Sequence, residues 1–149
     1  MKTLLAAVIR FVLGLIDPFL PEAQKVYALE GDQSLSGRAL IGVEHHTTAD
    51  TLLARENGTL HTNKGASGTI ALTLPAAVAG MHFYFAVLAA QILQIEPASG
   101  EVISLPSNGV PEAADDYIAA DALRETVHLV CVETGAWAVM GFTGTWTGQ

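Results

Sequence analysis

The sequence predicts an all-β fold, a jelly-roll or sandwich-like domain of about eight or nine short antiparallel strands over residues 51–149. An apolar N-terminal arm or short helix and a linker, residues 1–50, are expected to precede it. Two patterns carry that expectation. Beyond Asp50, short runs alternate apolar and polar residues with the period of two of a half-buried strand, and turn compositions such as Asn57-Gly58 and Pro97-Ala98-Ser99-Gly100 separate them. A third observation bounds the size: half of the 149 residues are apolar and 15% are charged, which suits one domain with a real core.

Thr3 to Ile16 is almost wholly apolar, lacks proline and is rich in Leu and Ala, so a short helix is expected there, stopped by Pro18 and Pro21. Arg10 interrupts the run, no small-x-small cleavage site follows closely, and the run is shorter than the roughly 20 apolar residues that cross a bilayer. A retained arm is expected, with no membrane as partner. Because it is apolar nearly all round, the arm must be buried against something larger than a small β domain provides. Leu4, Leu5, Val8, Ile9, Phe11, Val12, Leu15, Ile16, Phe19 and Leu20 are therefore the expected partner interface. Ala23 to Asp50 reads as linker, with a possible strand at Arg38 to Glu44.

Thr51 to Glu56 and Thr59 to Thr62 flank Asn57-Gly58, a pairing that predicts a hairpin. Thr69 to Leu74 places Ile70, Leu72 and Leu74 on one face, and Met81 to Leu88 does the same for Met81, Phe83, Phe85 and Val87. Gln91 to Glu96, Glu101 to Leu105 and Asp115 to Ala120 are further strands. Thr126 to Glu133 and Ala136 to Thr143 predict a last hairpin around Thr134-Gly135. Several second faces are also apolar, at Tyr84 and Leu88, Val130 and Val132, Met140 and Phe142, which points to oligomerisation.

Seven Lys and Arg against fifteen Asp and Glu give a net charge of -8, and beyond residue 60 only Lys64 and Arg124 face eight acids. Such a surface repels phosphate, so no nucleic acid partner is expected. The single Cys131 needs no oxidising compartment, which fits synthesis in a cytoplasm.

No catalytic set, cofactor site or metal site emerges from the motifs. His45 and His46 are neighbours that point to opposite sides of an extended chain, while His61, His82 and His128 fall in separate runs without companion Cys or close carboxylates. Asp115, Asp116 and Asp121 lack the alternate spacing of a calcium loop and read as a solvated acidic loop. Cys131 and His128, three apart in one strand, face opposite ways, and Cys131 aligns with Val127 and Leu129 as a core residue. Gly65-Ala66-Ser67-Gly68 has the spacing of neither a nucleophile elbow nor a phosphate loop, and Asn57-Gly58-Thr59 is explained by its turn without glycosylation. Trp137 and Trp146 read as packed anchors in preference to a sugar platform.

Gly58 to Trp146 resembles a module of tailed-bacteriophage virion proteins, above all the capsid decoration or cement proteins. The fragments that carry the resemblance are Thr62-Asn63 with Gly65-Ala66-Ser67-Gly68-Thr69, Leu74-Pro75-Ala76-Ala77 with Gly80, and Phe83, Phe85 and Val87. They continue through Ile95-Glu96-Pro97, Ile103-Ser104-Leu105, Tyr117, Ala120-Asp121-Ala122, Leu129-Val130, Trp137 and Gly144-Thr145-Trp146. The resemblance implies a non-enzymatic structural protein, a homotrimer on the outer capsid surface that contacts the major capsid protein and stabilises the head. Related modules in tail and fibre proteins leave a second expectation, a trimeric module that binds host surface glycan.

Overall fold

Most of the alternating runs become strands with one buried face, and the buried faces of two sheets share one apolar core. The structure, a computed structural model, describes residues 41–105 and 113–149. One sheet has six strands in the order β1 (Val43–His45), β3 (Leu60–Thr62), β5 (His82–Ala86), β9 (Thr126–Glu133), β10 (Ala136–Thr143) and β7 (Val102–Ser104). The other has five, in the order β11 (Thr147–Gly148), β8 (Ile118–Ala120), β6 (Leu93–Glu96), β4 (Ile70–Thr73) and β2 (Asp50–Thr51). The all-β expectation is met; the helix expected at Thr3 to Ile16 lies outside the described residues. The strand β1, expected in the linker, is an edge strand of the six-stranded sheet.

Strand direction departs from the antiparallel jelly-roll order. From β1 to β8, successive strands alternate between the two sheets. As far as β6, strands two apart in sequence thereby become neighbours running the same way, so that β1–β3, β3–β5, β2–β4 and β4–β6 are parallel. β7 also pairs β10 in parallel, while β5–β9, β9–β10, β6–β8 and β8–β11 are antiparallel. Parallel neighbours need a crossover, and here the strand in the opposite sheet supplies it where a helix would otherwise do so. Alternation fixes which side chains point inward. It says nothing about the partner across the ladder.

The first expected hairpin is a correction of the same kind. β2 and β3 lie in different sheets, joined through a 3-10 turn at Ala54–Glu56. Asn57 has φ -49° and ψ 129°, Gly58 has φ +82°, and Thr59 N–H donates to Glu56 O at 3.0 Å. Those angles make a type II turn, which needs glycine at its third position but does not fold two strands back on each other. The second hairpin forms as expected, with β9 and β10 joined through Thr134 and a Gly135 at φ +83°.

Side chains from both sheets fill the core, among them Leu72, Ile95, Ile118, Phe83, Phe85 and Leu129. Trp137 and Trp146 are packed anchors: their Nε1–H groups donate to Glu101 Oε2 at 3.1 Å and to Thr126 O at 3.0 Å. Buried indoles keep their polar edge satisfied in this way.

Candidate functional site at the edge of the six-stranded sheet

Parallel pairing of β1 with β3 sets Glu44 beside His61 in the ladder, and the ladder runs one step further through His46 N–H to Thr62 O at 2.8 Å. Residues two apart on a strand share a face, so Glu44 and His46 both turn toward His61. His46 Nε2 lies 3.0 Å from His61 Nδ1, a hydrogen bond between two buried imidazoles, and Glu44 Oε2 lies 3.9 Å from the same Nδ1. From β2, in the other sheet, Asp50 brings Oδ2 to 3.4 Å from His46 Nδ1. His45 points the other way and bonds Thr62 Oγ1 at 2.7 Å.

Burial, and then the neighbouring imidazole of His46, push the His61 pKa down to about 4 against the opposing pull of Glu56 and Asp50. His61 is therefore a neutral imidazole at neutral pH. The Asp50 carboxylate favours a proton on His46 Nδ1, which leaves His46 Nε2 to accept from His61 Nδ1–H. His61 Nε2 is then a bare lone pair, buried without a hydrogen-bond partner near the rings of Phe83 and Phe85, each 5.8 Å away between centroids.

A second group of rings stands on the outward face of the same sheet. Tyr84 stacks on His128 with centroids 4.3 Å apart and planes 12° from parallel, and His82 meets both edge-on. Burial and then His82 lower the His128 pKa, so this imidazole is also neutral at neutral pH.

The ten apolar arm residues expected at a partner interface lie outside the described residues. Cys131 is buried, donates Sγ–H to Glu133 O at 3.1 Å, and has its pKa raised by burial and then by Glu101. On β9 it faces the core, on the side opposite His128. Asp115 and Asp116 cap loops, accepting from Gly100 N–H at 2.6 Å and Ala113 N–H at 3.1 Å. The sequence missed the grouping of Glu44, His46 and His61. The Glu-x-His spacing at 44 and 46 signals a shared face, but the third member becomes visible only once β1 is known to pair with β3. Among the described residues no helix is long and apolar enough to cross a membrane. No family model matches the chain, and no curated protein matches it.

Proposed function

We propose that the protein is a structural subunit of a tailed-bacteriophage particle, a capsid decoration or cement protein that works by being buried against partners. In this reading it is made in the host cytoplasm, assembles as a homotrimer on the outer capsid surface, contacts the major capsid protein and catalyses nothing. The observation that supports it most is the apolar outward face of a sheet whose inward face already lines the core. Ladder register puts Val43, Leu60, Tyr84 and His128 in one outward row, and Val43 and Val132 are 58% and 55% exposed. Met140, at the irregularity between Val139 and Gly141, adds exposed apolar surface on β10, whereas Phe142 lies opposite the core-facing Val127. Apolar area left on both faces of a sheet marks a surface that gains free energy on association, and the acidic charge suits the outside of a particle that holds DNA.

The test is occupancy on capsids purified without this protein. Full-length protein is expected to bind at saturating stoichiometry and to raise the temperature at which heads rupture. Val132→Glu with Met140→Glu, or deletion of Met1 to Ile16, is expected to leave a folded β domain that no longer binds; normal occupancy by both variants overturns the reading. A second reading, a trimeric tail or fibre module that binds host glycan, draws on a concave surface of about 540 Å³ on the five-stranded sheet. Tyr117, Gln94, Asp121 and Thr145 line it, an aromatic among polar side chains. Saturable binding on a glycan array, together with silence toward capsids, favours that reading.

A further inference from the structure

We propose that Glu44, His46 and His61 form a binding site for a divalent transition-metal ion of the zinc class, with Asp50 as the carboxylate that orients His46. One potential ligand atom from each of the three lies within 4.8 Å of the other two, and the closest approaches are His46 Nε2 to His61 Nδ1 and Glu44 Oε2 to the same Nδ1. Four-coordinate zinc holds nitrogen and oxygen ligands at about 2.0–2.2 Å, which sets neighbouring ligand atoms roughly 3.3 Å apart. The separations of 3.0 Å between the imidazoles and 3.9 Å from His61 to Glu44 bracket that value. The Glu44 side chain, 45% exposed against 0% for His61, is the ligand free to close on an ion. Two imidazoles and one carboxylate select zinc, cobalt or nickel over calcium or magnesium, which take oxygen ligands.

A ligating histidine commonly gives its far N–H to a carboxylate, which fixes its tautomer and raises its basicity, and Asp50 stands 3.4 Å from the far nitrogen of His46. The ion would replace the His46–His61 hydrogen bond and leave one coordination position to water on the side of Glu44. It would also move the His61 proton to Nε2, which has no hydrogen-bond partner. With three protein ligands, and His61 Nε2 unpaired with or without the ion, binding is expected in the micromolar range. Bound there, the ion ties the edge strand β1 to β3 and, through Asp50, to β2 of the other sheet. This is independent of the capsid reading.

Cobalt(II) added to the full chain, freed of metal by chelation, is the direct probe. One equivalent is expected to bind with the visible d–d bands of a four- or five-coordinate ion, without a thiolate charge-transfer band, to be displaced by zinc, and to raise the thermal midpoint. Glu44→Gln, which leaves the core untouched, and His46→Gln are each expected to weaken binding at least tenfold. Asp50→Asn is expected to weaken it by about 10- to 100-fold, while His82→Gln on the outward face leaves it unchanged. Absence of stoichiometric binding at micromolar metal, a thiolate band that assigns the ion to Cys131, or undiminished binding by Glu44→Gln overturns the proposal.

Discussion

Asn63 and Ala89 hold each other twice: the Asn63 carboxamide accepts Ala89 N–H at 2.9 Å and donates to the Ala89 carbonyl at 3.1 Å. The same side chain accepts Leu88 N–H at 2.7 Å and donates to Gln91 O at 2.9 Å, so a fully buried amide holds the loop that carries the chain from β5 to β6. Removing it leaves backbone groups without partners, each a loss of about 1–3 kcal/mol where buried. Asn63→Ala is expected to destabilise the domain by roughly 3 kcal/mol in urea unfolding. A loss near zero would mean that the 88–91 loop is held by other contacts.

Glu125 predicts an acid-sensitive corner. Burial pushes its carboxyl upward, but backbone N–H groups of Thr145, Ala122 and Asp121 outweigh burial and bring the pKa below its ordinary 4.5. A depressed carboxyl contributes stability that is fully present above the unfolded value and is lost as pH falls from about 4.5 through the folded value. Unfolding free energy measured from pH 7 downward is expected to drop more steeply for the natural protein than for Glu125→Gln; parallel curves would remove Glu125 from the acid response. Gly144, at φ +82°, lies so close that an added Cβ would collide with the Glu125 carboxylate. Gly144→Ala is therefore expected to cost at least about 1–3 kcal/mol, the range for a strained left-handed residue.

Much of the inward face was legible because burial imposes a period of two. Ile70, Leu72 and Leu74, and Phe83, Phe85 and Val87, all fall inside as the alternation predicts. Strand partners were not legible, since a parallel neighbour two strands on leaves no local mark. The grouping of Glu44, His46 and His61 was not legible for the same reason. Reading His45 against His46 gave the correct opposition, yet His46 meets His61 fifteen residues away through β1–β3 pairing that no local signal encodes. The expected arm interface rests on composition alone, at positions outside the described residues.

The Asn57-Gly58 corner turns that lesson into a measurement. Gly58 keeps φ +82°, Gly58 N–H bonds His82 O at 2.8 Å, and Asn57 Oδ1 accepts His82 N–H at 2.7 Å. The dipeptide therefore docks the turn on β5 and does not close a hairpin. A Cβ at Gly58 would stand 3.3 Å from His82 Nε2. Gly58→Ala is expected to cost about 1–2 kcal/mol, with the largest amide shifts in NMR spectra at His82. Shifts confined to residues 51–62 would instead point to a local hairpin.

Trp137 tests how far the core depends on shape and how far on one hydrogen bond. The indole is fully buried against Phe83, 5.8 Å between centroids, and its Nε1–H satisfies Glu101 Oε2, whose other oxygen accepts Ala77 N–H at 2.7 Å. Trp137→Ala removes both and is expected to cost about 3–5 kcal/mol. Trp137→Phe keeps most of the packing but leaves the carboxylate oxygen unpaired, a loss of about 1–3 kcal/mol. If the hydrogen bond carries that loss, Glu101→Gln, which weakens the same bond, must make Trp137→Phe less costly, and a double-mutant cycle will show coupling. Additive losses would assign the whole effect of Trp137 to the volume it fills between the sheets.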